Sequence, residues 1–114
     1  MIKKIINPII KYWFNLYYSK SRLFSYQNLE VVVKPGVFPP HFTISTKLML
    51  DFIKPLNLKE KSFLELGCGC GIISLLAASK GAIVTATDIN KMALDGLTEA
   101  SEKYNYNISI IYSD

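Results

Sequence analysis

Residues Phe63 to Gly71 read F-L-E-L-G-C-G-C-G, and Thr87-Asp88 follows one helix and one strand later. Ser62-Phe63-Leu64-Glu65-Leu66 is a short apolar run with the character of a buried parallel strand. It ends in glycines at alternate positions, Gly67, Gly69 and Gly71, and an apolar helix, Ile72 to Ala78, begins at once. Strand, glycine turn and helix together bring bare backbone N–H groups and a helix N-terminus up to a ligand. Gly81 punctuates the end of that helix. A second apolar strand, Ala82 to Ala86, carries Asp88 to its C-terminal tip. An acid about 20 residues past a glycine loop stands where a ribose diol is gripped.

The glycine spacing separates two cofactor classes. A dinucleotide fold needs G-x-G-x-x-G. Here the third glycine comes one residue early, and Ile72 sits where that pattern requires Gly. This disfavours a nicotinamide oxidoreductase. An acid, Glu65, also precedes the first glycine by two. E-x-G-x-G-x-G resembles motif I of the class I S-adenosylmethionine-dependent methyltransferases, and T-D-I-N at Thr87 to Asn90 resembles their next motif. The fold this implies is α/β, a Rossmann-like methyltransferase fold with strand order 3-2-1.

Outward from this centre, Asn90 to about Tyr104 is predicted helical, with Met92, Ala93, Leu94, Leu97 and Ala100 as its apolar members. Asn105-Tyr106-Asn107 turns into a third strand, Ile108 to Tyr112. Upstream, Leu29 to Lys34 is predicted as a strand and Pro35-Gly36 as a turn, while Pro39-Pro40 blocks any helix before His41. Thr43 or Ser45 caps a helix that runs to about Ile53, with Ile44, Leu48, Met49, Phe52 and Ile53 on its apolar side. His41, in a loop after Pro40, reads as a surface or packing residue.

The chain has 114 residues, half of them apolar, and a net charge of +4, which bounds it to one small folded domain. Up to Glu30 the basic residues are Lys3, Lys4, Lys11, Lys20 and Arg22, against that single acid; beyond it, eight Lys balance eight acids. The basic excess therefore belongs to residues 1–30. Ile2, Ile5, Ile6, Ile9, Ile10, Trp13, Phe14 and Tyr17 recur there at helical spacing, interrupted at Pro8. This predicts an amphipathic helical extension over 1–30 ahead of the body at 31–114. Packing on that body is the plain reading; a basic, aromatic surface for nucleic acid or an anionic membrane is the sharper one.

No apolar run reaches the roughly 18 residues of a spanning helix. The apolar stretch after Lys4 is broken by Asn7 and Pro8 and closed by Lys11, which argues against a signal peptide. Cys68 and Cys70 lack the second pair or His partners of a zinc site and read as small loop fillers in a reducing cytoplasm. No metal site is predicted.

Pro35 to Thr43, with Ser45-Thr46-Lys47-Leu48, makes the likeness more specific. It is similar to the stretch before motif I in the small-domain methyltransferases, among them the release-factor glutamine and ribosomal-RNA methyltransferases. The resemblance covers about residues 31 to 114 and implies S-adenosylmethionine as cofactor. By it, Glu65 and the loop Gly67, Cys68, Gly69 and Gly71 meet the methionine and ribose part. Asp88 takes the ribose hydroxyls, Ile89 lies against the adenine face, and Asp114 accepts from the adenine amino group. Phe38, Thr43 and Thr46 are further contacts by the same likeness.

The resemblance also implies something missing. Such enzymes have a seven-stranded sheet, and this chain matches its first three strands. The fourth would carry the N-P-P-Y-like motif that orients the acceptor nitrogen, and neither N-P-P nor D-P-P occurs in the sequence. The expectation is therefore methyl transfer to a nitrogen in protein or nucleic acid by an incomplete catalytic domain, truncated after the third strand. Such a domain would self-associate or need a complementing C-terminal fragment. The alternative is a non-catalytic cofactor-binding or assembly module.

Overall fold

The structure, a computed structural model, describes Ile9, residues 20–37 and residues 44–113. The amphipathic pattern of residues 2–17 lies outside the described residues except at Ile9, as do His41, Thr43, Phe38 and Asp114.

The body is a parallel sheet of β3 (Ser62–Leu66), β4 (Ile83–Asp88) and β5 (Ile108–Tyr112), in that spatial order. Parallel neighbours need a crossover. Helix α2 (Ile72–Ser79) supplies the first and α3 (Lys91–Tyr104) the second. Register pairs Leu66 with Thr87 and Asp88 with Tyr112, so the carboxyl ends of the strands lie side by side. The three strands and their order match the sequence expectation.

A hairpin, β1 (Arg22–Tyr26) and β2 (Leu29–Val33), precedes this sheet, and helix α1 (Ile44–Ile53) joins the two. β1 was not foreseen. Its connection to β2 is Gln27-Asn28, with Gln27 at φ 57, whereas the strong sequence sign of a tight hairpin is Asn-Gly or Asp-Gly. The boundary drawn at residue 30 therefore runs through a hairpin, and residues 22–26 are extended, not helical. β2 alternates buried and half-buried residues, with Leu29, Val31 and Val33 inward, and packs on α3. Tyr104 Oη accepts from the Glu30 amide at 2.7 Å. Lys34–Glu99 at 2.8 Å and Lys103–Glu30 at 3.1 Å add surface pairs of small energetic weight.

The core lies between the helices and one face of the sheet. Val84 and Ala86 are buried there, and Phe63, Ile108 and Ile110 pack partly against it. The other face is open: Leu64 is 61% exposed, Leu66 71%, Ile83 63% and Ile111 47%. The sequence reading of β3 as a buried parallel strand is thus corrected: Phe63 and Glu65 on its core side are half-buried, and Ser62, Leu64 and Leu66 on the other side are exposed. The apolar side expected for α1 is also corrected. Leu50 and Ile53 face the core, while Ile44, Leu48, Met49 and Phe52 are exposed. Met92 of α3 is exposed too; Ala93, Leu94, Leu97 and Ala100 are buried as expected.

Gly71 is the joint between loop and core. It is the N-cap of α2 at φ 85, and a Cβ there would lie 2.6 Å from Leu97 Cδ1. A side chain would meet both backbone strain and a packed neighbour. Gly67, at φ 66, has nothing within 4 Å of such a Cβ. Gly71→Ala should therefore cost about 2–5 kcal/mol in urea unfolding, and Gly67→Ala about 1–2 kcal/mol.

Candidate functional site

The site is assembled at the carboxyl ends of β3 and β4. The turn from β3 into α2 is fastened to β4 at two points. The Cys68 amide donates to Thr87 O at 2.8 Å, and the Gly69 amide donates to Asp88 Oδ2 at 2.9 Å. The other Asp88 oxygen, Oδ1, accepts from the Asn90 amide at 2.8 Å. Asn90 in turn caps α3 through Oδ1, which accepts from the Met92 amide at 3.0 Å. The Ser113 amide donates to Asp88 O at 3.0 Å and ties in the end of β5.

The expectation of bare amides along the loop is therefore corrected. Cys68, Gly69 and Gly71 all spend their amides inside the protein, the last on Cys68 O at 2.9 Å. The loop instead offers an unobstructed approach. A Cβ on Gly67 or Gly69 would meet nothing within 4 Å, so one side of the backbone is uncovered where the acids converge.

Glu65 reaches from β3 to α2. Gly71 at the N-cap makes no side-chain cap, and the Glu65 carboxylate serves in its place. Ser74 Oγ donates to Glu65 Oε1 at 2.6 Å. Burial pushes the Glu65 carboxyl up to about 7; hydrogen bonds from the Ser74 side chain and backbone hold it down, and the nearby charge of Asp88 adds to the rise. Ser74 was missed in the sequence, where it reads as one member of an apolar helix. Its sign was a hydroxyl inside the run I-I-S-L-L, nine residues after an acid.

Cys68 and Cys70 are buried free thiols. Burial, with the charge of Glu65 contributing, pushes them up to about 12 and about 11. Neutral thiols of this kind are packing groups and poor nucleophiles. No cluster of metal-ligating side chains occurs among the described residues. Ile89, directly after Asp88, is 62% exposed, an apolar surface beside a carboxylate. Thr46 is half-buried in the first turn of α1. Thr87 Oγ1 is buried without a hydrogen-bond partner in the structure, on the sheet face that carries Leu66 and Ile111.

The strand-tip acids thus have structural work of their own: Glu65 caps a helix and Asp88 braces a loop. Glu65 does so against its own desolvation, which gives a test. Its folded pKa lies above the unfolded value of 4.5, so its stabilising contribution is complete below that pH and is lost as pH rises through about 7. The loss is on the order of 3 kcal/mol over that window. Urea midpoints between pH 4.5 and 7.5 should fall for the parent chain and fall less for Glu65→Gln.

Comparison with known proteins gives the family and the fold. The family model described as "Methyltransferase small domain" matches residues 28–114. The ribosomal protein L11 methyltransferase of Thermosipho melanesiensis is 38% identical over 88 residues, 75% of this chain and 34% of that protein. The Helicobacter hepaticus protein of the same name is 33% identical over 66 residues, 57% of this chain and 21% of its own. Among solved structures, the T. thermophilus 16S rRNA N2 G1207 methyltransferase in complex with AdoMet and guanosine superposes with a TM-score of 0.70. That match has 24% identity and covers 84% of this chain and 28% of that one. The chain spans about a third or less of the length of these relatives. Its fold is the Rossmann-like methyltransferase fold in part, and the chain belongs to the methyltransferase small-domain family.

Proposed function

We propose that this chain is the cofactor-binding part of an S-adenosylmethionine-dependent methyltransferase acting on a nitrogen in protein or nucleic acid. One observation carries the reading. Two carboxylates, Glu65 and Asp88, converge on a glycine loop whose outer side is bare at Gly67 and Gly69. Family membership supports it, and so do the named activities of the relatives on a ribosomal protein and a ribosomal RNA.

The residues present fit the cofactor. Asp88 already accepts one hydrogen bond on each oxygen, and each oxygen keeps a further lone pair for a ribose hydroxyl. Ile89 offers an exposed apolar face to adenine. Glu65 offers negative charge toward the methionine end. Cys68, Gly71 and Thr46 complete the proposed contacts among the described residues, and Phe38, Thr43 and Asp114 are proposed by family likeness alone. Bound S-adenosylmethionine supplies an electrophilic methyl group on a sulfonium. The chain's own part is to hold that donor and exclude misplacement, with no covalent nucleophile needed. The neutral thiols of Cys68 and Cys70 are consistent with that.

We place the activity in the cytoplasm. Among the described residues no helix is long and apolar enough to cross a membrane. The basic segment within residues 1–30 is the part proposed to face the substrate or to pack on the body at 31–114. The open sheet face calls for a cover, from a complementing C-terminal fragment or a second copy. The alternative, a cofactor-binding module without catalysis, is favoured by that same open face.

Isothermal titration should show S-adenosylmethionine binding more tightly than NAD. Asp88→Ala should weaken it roughly ten- to a hundredfold, since hydrogen bonds to a charged group contribute about 1.5–3 kcal/mol. Cys68→Ser should change it little. Tighter NAD binding, or the reverse order of the two variants, removes the basis of the reading.

The isolated 114-residue chain should transfer no labelled methyl group to ribosomes, release factor or nucleic acid. It should also elute above monomer size, with Leu66→Lys shifting it back. Turnover by a monomer would favour a complete enzyme over a part of one.

A further inference from the structure

Ser74 is fully buried, in a helix whose other buried members are Ile72, Leu75, Leu76 and Ala77. A hydroxyl in such a place is costly unless it is partnered. Helical Ser and Thr ordinarily satisfy themselves by bonding back to a carbonyl of their own helix. Ser79, Thr98 and Ser101 do this, donating to Leu76 O, Leu94 O and Thr98 O at 2.6, 2.7 and 2.9 Å. Ser74 instead donates across the fold to Glu65, at 2.6 Å. That bond spans β3 and α2, the two elements that bracket the glycine loop.

We propose that Ser74 is a positioning residue. Its hydroxyl fixes the direction and charge of the Glu65 carboxylate beside the glycine loop, and through Glu65 it sets the affinity for the cationic amino-acid end of the cofactor. The inference rests on the methyltransferase reading of the site. Asp88 from β4 is the titratable group that acts on Glu65, and the thiols of Cys68 and Cys70 in the loop feel the Glu65 charge in turn. The thiols are neutral near pH 7, so Asp88 is the charge that opposes ionisation of Glu65. The Ser74 hydrogen bond works against that opposition.

The test uses the full chain. The Glu65 carboxyl is followed by carbon-13 NMR in the absence of cofactor, in the parent, in Ser74→Ala and in Ser74→Thr. Its midpoint, about 7 in the parent, should rise by about one pH unit in Ser74→Ala and stay in place in Ser74→Thr. Affinity for S-adenosylmethionine should then fall about fivefold at pH 7 in Ser74→Ala, and less than about twofold at pH 8.5, where Glu65 is ionised in both. If Ser74→Ala does not fold, Ser74→Cys, with similar volume and a weaker donor, should also raise the midpoint.

An unmoved midpoint overturns the proposal. So does a loss of affinity that is equal at both pH values, because a packing defect has no reason to follow Glu65. A parent chain that binds no S-adenosylmethionine at either pH overturns the cofactor limb and the functional reading together. The NMR midpoint still reports separately whether the hydrogen bond governs Glu65.

Discussion

The carboxylate of Asp88 is the knot on which the functional end of this molecule depends. Its two oxygens hold the Gly69 amide at 2.9 Å and the Asn90 amide at 2.8 Å. One bond stops the glycine loop from lifting away from β4. The other sets the extended residue that caps α3. The backbone carbonyl of the same residue receives the Ser113 amide at 3.0 Å, so the end of β5 is placed from this position as well. The glycine loop, the start of α3 and the end of β5 are thus all tied to one residue, through its side chain and its own peptide group. Charge-assisted bonds of this kind are shorter and stronger than neutral ones, which suits a joint with little surrounding bulk.

A site acid with structural work is not thereby unavailable to a ligand. A carboxylate has about four lone-pair positions, and Asp88 uses two of them on backbone amides. Those bonds hold the acid rigid and leave its remaining acceptors aimed by the fold. Glu65 differs. Its ionised form is disfavoured by burial and by Asp88, and Ser74 is the neighbour that offsets them. The loop beside the pair carries no side chain at Gly67 or Gly69, where a Cβ would meet nothing within 4 Å.

The centre of the fold was legible because several local signals coincide there. An apolar strand, alternate glycines, an apolar helix and a second strand tipped by Asp88 occur in that order, and each constrains the next. The hairpin was half legible. β2 carries three consecutive valines, but Arg22–Tyr26 has only partial alternation and ends at Gln27-Asn28, so its pairing depends on tertiary contact. The face of α1 was misread because I-S-T-K-L-M-L-D-F-I is apolar on more than one side. Periodicity could not choose between the Leu50–Ile53 face and the Ile44–Leu48–Phe52 face. The internal use of the loop amides was hidden for a different reason: backbone hydrogen bonds within a turn leave no trace in residue type. Ser74 left a trace, a polar residue in an apolar run, but its meaning required knowing that Glu65 lies across from it.

The open face of the sheet bears most directly on what these residues can do by themselves. Leu64, Leu66, Ile83 and Ile111 are each roughly half or more exposed. Covering a large aliphatic side chain completely is worth about 1.5–3 kcal/mol, so covering what these four leave open is worth on the order of 5 kcal/mol. That is comparable with the whole net stability of a small domain, about 5–15 kcal/mol. Thr87 sits on the same face, in register with Leu66 and Ile111, with its hydroxyl buried and lacking a partner in the structure. It is also the residue before Asp88. A cover over this face would therefore remove apolar surface from water close to the site. The open face and the glycine loop are linked through β4, because the strand that carries Ile83 on the open face is the strand whose tip ties the loop.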